Sequence, residues 1–247
     1  MKVKVLATGS SGNSYTLESD SGEILLIERG IKWADILKGI DYRTSDVAGA
    51  IVSHRHKDHS KSVQNALESG IHTYMNEDTA ESLTAQNRGY FTHTLQPRKT
   101  QSIGGYTILP LEVHHDVPCF AFVISHCELK DRRILFATDC ISLPYTAPNI
   151  SLMMIECNYT DTALTTAIEQ GETDPHQRQR LEGSHMELTQ TIEAIKRQQK
   201  RSGQHLQATI LLHTSQRNAD PQEMTDKVER ATSIPTYIAT RGLEYTL

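Results

Sequence analysis

The sequence is poor in cysteine, with four in 247 residues (Cys119, Cys127, Cys140, Cys157). They form no C-x-x-C pair and no recognisable zinc spacing, so neither a disulfide framework nor a cysteine metal cluster organises the chain. The expectation is reduced thiols in a cytoplasmic protein, most of them buried as small apolar side chains. No apolar run approaches the length of a spanning helix. The opening "MKVKVLATGS" is too short to supply the apolar region of a signal peptide. Positive charge is also in deficit: 25 Lys and Arg stand against 30 Asp and Glu, a net charge of −5. The chain as a whole therefore has no pull toward polyanions, and a nucleic-acid partner would need a local basic surface. Two local clusters exist: Arg55, Lys57 and Lys61, and "KRQQKRSG" from Lys196 to Gly203. For the second, a solvated helix face is the plainer reading. Repeats, low-complexity tracts and Pro/Gly/Ser-rich linkers are missing too, so one domain over 1–247 is expected.

Present instead is an ordinary globular composition, 37% hydrophobic and 22% charged, patterned as alternating strands and helices. "KVKVLA", "SYTLES", "EILLIE", "AGAIVS", "YTILPLEV", "FAFVIS", "RILFAT", "LMMIE" and "ATILLH" read as strands. Helices are expected over Trp33–Ile40, Lys61–Ser69, Thr79–Gln86, Thr160–Gln170, His185–Arg201 and Pro221–Thr232. That order suits an α/β sandwich with sheets inside and helices outside. Side chains able to hold metal gather at the C-terminal ends of apolar strands. His54 follows "AIV", His115 follows "PLEV", Asp139 follows "LFAT", Glu156 ends "LMMI" and His213 follows "TILL". Strand ends on one rim can converge, and α/β sites form at such rims.

The densest group is "IVSHRHKDHS", where His54, His56, Asp58 and His59 make H-x-H-x-D-H behind a strand. Imidazoles and carboxylates at this spacing suit one or two divalent ions. This motif resembles the signature of the metallo-β-lactamase superfamily of dinuclear hydrolases. "LEVHHDVPCF", "ILFATDC" and "ILLHTSQR" resemble its later motifs, in the same order. The resemblance implies a four-layer αββα sandwich and two divalent metal ions, Zn or Mn. His54, His56 and His115 would hold one ion, and Asp58, His59 and His213 the other, with Asp139 bridging. H-x-V-P order selects His115 over His114. The nucleophile would be a hydroxide shared by the metals, with Asp58 orienting it.

Three further stretches narrow the resemblance to the RNase Z-like YycJ/WalJ-type branch, similar to 5′→3′ exonucleases of double-stranded DNA. They are "ATGSSGNSYTLE", the E-x-N of "LMMIECNYTDTAL", and "RQRLEGSHMELTQTIEAI". In the last, Ser184 and Glu187 form S-x-x-E, a capping box that would start a helix at His185. His185 would then hold phosphate or protonate a leaving alkoxide at a helix N-terminus, with Glu156 tuning it. "LLIERG" departs from the branch, placing Glu28 and Arg29 where Asp and a small residue are usual. The extra methylene of Glu28 would disturb a hydrogen bond to a metal-binding histidine. The expected function is a dinuclear phosphodiesterase acting on nucleic acid or nucleotide, most simply a 5′→3′ DNA exonuclease. The alternative is an enzyme degrading cyclic or small nucleotides, as phage enzymes that destroy defence signals do; the acidic net charge leans that way. No membrane partner is expected, and a homodimer is left open.

Overall fold

A computed structural model describes residues 1–84, 89–215 and 217–247. In chain order its strands are β1 (Lys2–Ala7), β2 (Ser14–Glu18), β3 (Ile24–Ile27), β4 (Val47–Ile51), β5 (Thr73–Met75), β6 (Thr92–Thr94) and β7 (Gln101–Ile103). There follow β8 (Tyr106–Val113), β9 (Cys119–His126), β10 (Arg133–Ala137), β11 (Ile150–Glu156), β12 (Ala208–Leu212), β13 (Thr236–Ile238) and β14 (Glu244–Thr246). The helices are α1 (Trp33–Gly39), α2 (Lys57–Ser60), α3 (Val63–Glu68), α4 (Glu77–Thr84), α5 (Asp161–Glu169), α6 (Pro175–Glu182), α7 (Leu188–Ser202) and α8 (Pro221–Thr232). The strands form two seven-stranded sheets, ordered β14-β1-β2-β3-β4-β5-β6 and β13-β12-β11-β10-β9-β8-β7. The backbone divides into two compact units. One is Met1–Glu112 with Ile124–Lys130 and Thr240–Leu247; the other is Val113–Val123 with Asp131–Ala239.

In the first unit, β1, β2 and β3 are antiparallel, then β3 to β6 run parallel. "ILLI" in β3 is buried at every position, as a strand covered on both faces must be. Leu6, Leu26, Ile36, Ile40, Ala66 and Ile71 form one apolar cluster joining the sheet to α1 and α3. Each such aliphatic side chain contributes roughly 1.5–3 kcal/mol on burial. From β8, the Tyr106 hydroxyl reaches the carbonyls of Leu17 and Glu23, both at 2.9 Å. That hydroxyl is how a buried tyrosine satisfies its polar end.

In the second unit, β10, β11, β12 and β13 are parallel neighbours. All seven residues of β11 are buried, so its carboxyl end carries Glu156 into the interior. Against it lies α7, burying Leu188, Thr191, Ala194, Ile195 and Gln198, the 3.6-residue stripe of an amphipathic helix. Buried Gln198 is satisfied by clamping the backbone of Ala147 through both N–H and carbonyl.

Three helices differ from expectation. The helix expected over Lys61–Ser69 is the shorter α3, separated from the turn α2 before it because Ser62 N–H turns aside to the Arg29 carbonyl at 2.9 Å. The end of the helix expected over Thr79–Gln86 lies outside the described residues; the described part is α4. The helix expected from His185 begins at Leu188 instead. Glu187 is its N-cap, accepting from Thr189 N–H, and Gln190 returns the bond to Glu187 N–H. Ser184 is unavailable as a cap because its hydroxyl donates to the Arg180 carbonyl.

Candidate metal and phosphodiester site

The H-x-H-x-D-H segment leaves β4 and enters α2. His54 and His59 are fully buried, and His56 and Asp58 are half-buried. His54 Nε2 lies 3.1 Å from His56 Nδ1, and His59 Nε2 lies 3.3 Å from Asp58 Oδ2. The His54 and His59 rings are 4.3 Å apart. Three imidazoles crowded this way would repel as cations, but as neutral donors beside a carboxylate they suit a divalent ion.

Two upstream loops brace this segment. Asn13 N–H donates to the Asp58 carbonyl at 2.7 Å, and Asn13 Nδ2 lies 3.0 Å from His59 Nε2. Gly30 N–H donates to the Asn13 carbonyl, and Arg29 N–H to the His59 carbonyl. A Cβ on Gly30 would fall inside the Asp58 carbonyl oxygen. At Gly12 φ is 147°, and a Cβ there would meet the Gly30 carbonyl. "GSSGNS", read alone as a tight turn, thus reaches the site through Asn13, a contact that only a 45-residue separation in sequence concealed. Arg55, counted above in a basic cluster, is neutralised by Asp78 at 2.6 Å.

The departure at "ERG" has a visible result. Glu28 takes a left-handed backbone at φ 57°, and its Oε1 accepts from Ser53 N–H at 3.0 Å. Its other oxygen stands 3.6 Å from His59 Nδ1, beyond hydrogen-bonding distance. Arg29 beside it is completely buried, and its guanidinium has no hydrogen-bond partner among the described residues. Burial pushes its pKa down to about 10, against the opposing pull of Glu28.

In the second unit the ends of β10, β11 and β12 present Asp139, Glu156 and His213. Donor atoms of these three and of His185 all lie within 4.8 Å of one another. Glu156 is the hub. Its Oε1 accepts from His185 Nδ1 at 2.7 Å and lies 3.1 Å from His213 Nδ1. Its Oε2 accepts from the backbone N–H of Cys140 and Met186. Asp139 Oδ1 is 3.6 Å from His213 Nδ1 and accepts from Thr138 Oγ1 at 2.6 Å. Asn158 Nδ2 donates to the His213 carbonyl at 2.8 Å; this is the asparagine of E-x-N, and its role is to fix the turn after β12. Asp139 and His213 are both left-handed, φ 37° and 52°. His115 Nδ1 lies 2.8 Å from the Ser184 carbonyl, leaving Nε2 for a ligand or for Asp116, 2.9 Å away. His114 is exposed. Cys119, Cys140 and Cys157 are buried and Cys127 is exposed; burial raises the Cys140 and Cys157 thiols, which are inert.

Two imidazoles of this unit are pushed in opposite directions. Burial lowers the pKa of His115, outweighing the nearby Asp139 and Asp116. A neutral ring is what a metal ligand must be. His185 is raised: burial opposes its charge, but the charge and hydrogen bond of Glu156, with Asp139 behind, prevail. Glu156 in turn is held below the ordinary carboxylate range, since burial is outweighed by His185 and the bonds it accepts. Environments that separate two similar groups in this way assign different roles to them. Gln216 lies outside the described residues; Asp58, Glu156, His185 and each histidine or aspartate expected as a ligand lie within them.

A family profile described as a beta-lactamase superfamily domain matches residues 37–214. Over 126 residues the chain is 32% identical to exodeoxyribonuclease WalJ of Streptococcus pneumoniae serotype 2 (strain D39 / NCTC 7466). That match takes in 47% of this chain and 46% of the relative, so the chain spans about half the length of the curated relatives it matches. Among solved structures, the metallo-beta-lactamase fold protein YhfI from Bacillus subtilis aligns at a TM-score of 0.73 and 19% identity, covering 99% of both chains. Zn(2+)-bound PqqB from Methylobacterium extorquens aligns at 0.72 and 13% identity, covering 100% of both. Likeness at such low identity is likeness of fold, and it bears out the α/β sandwich expected from the order of motifs.

Proposed function

Because the chain belongs to the β-lactamase superfamily, we propose that it is a metal-dependent phosphodiesterase, acting as a DNA exonuclease. The chain over 1–247 is a single hydrolase domain in this reading. His54, His56 and His115 would hold one divalent ion and Asp58, His59 and His213 a second, and Asp139 would complete the set. The donor set is histidine-rich with carboxylates, which fits Zn or Mn. Bound divalent ions supply a nucleophile from water at neutral pH and offset charge on phosphoryl oxygens. Asp58 orients the attacking water.

The observation that carries the reading is the Glu156–His185 pair beside Asp139 and His213. Hydrolysis of a phosphodiester expels an alkoxide, which needs a proton that a lactam or thioester hydrolase would not draw from this pair. Glu156 holds His185 Nδ1 and favours the protonated ring. His185 Nε2 then carries the proton delivered to the leaving oxygen as the P–O bond breaks. The partial relatedness to exodeoxyribonuclease WalJ supports DNA as substrate.

The test is hydrolysis of two substrates side by side with Zn²⁺ or Mn²⁺. One is 5′-phosphorylated linear duplex DNA; the other is a set of 3′,5′-cyclic mononucleotides. Release of mononucleotides from duplex ends, lost in Asp58→Ala, is the expected result. Cleavage of cyclic nucleotides alone would move the protein to signal degradation, the reading that its net charge of −5 favours. Activity on neither, with metal bound, would refute both.

A further inference from the structure

The phosphodiester reading leaves one cluster unused: the basic stretch at the C-terminal half of α7. Lys196, Arg197, Lys200 and Arg201 are all exposed. Several half-buried cations of this acidic chain are paired, Arg43 with Glu18, Arg55 with Asp78 and Arg178 with Asp161, as is exposed Lys227 with Glu223. Here Arg197 has only Glu193, at 3.9 Å, and is anchored by donation to the Leu143 carbonyl. Lys196, Lys200 and Arg201 have no ion-pair partner among the described residues. Like charges four residues apart, 196 with 200 and 197 with 201, disfavour the helix. The macrodipole rewards only Lys200 and Arg201, which sit in the last turn. The helix therefore carries a charge arrangement that its own stability does not call for. An open groove of about 560 Å³ is lined by Glu193, Lys196, Arg197, Gln199 and Lys200.

Position relative to the chemistry gives the cluster a meaning. The helix starts three residues after His185, and Met186 N–H is bonded to Glu156. At 1.5 Å per residue, Lys196 and Lys200 stand ~12 and ~18 Å along the axis from Leu188. Phosphates along one strand recur every ~3.4 Å, so this is a span of about four to five base pairs. We propose that this face of α7 binds the phosphate backbone of duplex DNA about four to five base pairs from the scissile bond. The proposal rests on the phosphodiesterase reading for its purpose but not for its test. Charge complementarity names the occupant: four exposed cations along one helix face of a chain of net charge −5 fit a polyanion. The surface gives the enzyme a grip on long substrates that a single nucleotide could not use.

The experiment replaces three unpaired cations together, Lys196→Gln/Lys200→Gln/Arg201→Gln, in the full chain. Binding to a labelled 30-base-pair duplex is followed by anisotropy between 50 and 200 mM salt, in an Asp58→Ala background so that nothing is cleaved. Hydrolysis of bis-p-nitrophenyl phosphate, a small diester, is measured with Asp58 intact. If each cation meets one phosphate, the slope of log affinity against log salt falls by about 2.7. Duplex binding should weaken about 10- to 100-fold, while small-diester turnover stays unchanged. Lys196→Arg/Lys200→Arg should retain the affinity. Unchanged duplex affinity and slope would overturn the proposal even where the diester is cleaved. Weakened duplex binding in a protein that cleaves no diester would uphold the surface and sink the phosphodiesterase reading instead.

Discussion

Replacing Glu156 by Gln removes one negative charge from the hub of the second unit while keeping its size. The amide oxygen can still accept from Cys140 and Met186, which Oε2 now serves. The amide nitrogen would face His185 Nδ1, which must then accept, so the imidazolium loses its charged partner at 2.7 Å. A hydrogen bond to a charged group is worth roughly 1.5–3 kcal/mol, and one pKa unit corresponds to about 1.4 kcal/mol. Glu156→Gln should therefore lower the His185 pKa by about one to two units. The sign follows from the direction of the shift. His185 is raised in the folded protein, so its acid form is full below the ordinary imidazole value and lost as pH rises through the raised one. The alkaline limb of kcat for a small diester should move to lower pH by the same one to two units. The pair's contribution to stability should shrink over the same alkaline window. NMR titration of histidine-labelled protein reads the pKa directly, and the pH–rate profile reads its consequence. An unmoved His185 titration, or an alkaline limb that stays in place while the titration moves, would refute the assignment of His185 as the acid.

Other perturbations test other parts of the site. His185→Ala should lower kcat on phosphodiesters by about 10²- to 10⁴-fold, with metal content by elemental analysis unchanged. Gly30→Ala drives a methyl group into the Asp58 carbonyl; it should cost at least 1–3 kcal/mol in urea unfolding and reduce the metal bound per chain. The double variant Glu28→Gln/Arg29→Met removes a buried charge pair whose guanidinium has no hydrogen-bond partner among the described residues, and should raise the urea midpoint by about 1–4 kcal/mol of stability. A lower midpoint would mean that Arg29 contributes through an interaction not visible in its surroundings.

Much of this site could be read from the chain because its candidate ligands sit at strand ends, where an apolar run stops at a His, Asp or Glu. What stayed hidden depends on choices between local signals. Ser184-x-x-Glu187 and Glu187-x-x-Gln190 overlap as capping boxes, and what selects the second is the bond of Ser184 back to Arg180 together with the long-range bond of His185 to Glu156. The helix α6 buries nothing and so has no apolar period. Its start was nevertheless written in Asp174-Pro175, where Asp caps the His176 N–H and Pro fills the first turn. Asn13 acts on a loop 45 residues along the sequence, and no spacing rule reaches that distance. Arg55 looked like a free cation because its partner Asp78 is 23 residues away.

The left-handed turns at Asp139 and His213 bear on how this scaffold can drift. Asp, Asn and His tolerate that conformation better than other side chains, which face a penalty of roughly 1–2 kcal/mol. On the proposed ligand set the residue at these two places would both hold a metal and turn the chain off its strand, so Cys or Glu, chemically acceptable as ligands, would meet a backbone toll. His54, His56 and His115 are not among the positive-φ residues described and carry no such double duty. Lineages of this fold that exchange one metal for another should therefore show their ligand changes in that set, while the turns after β10 and β12 keep the same few residue types.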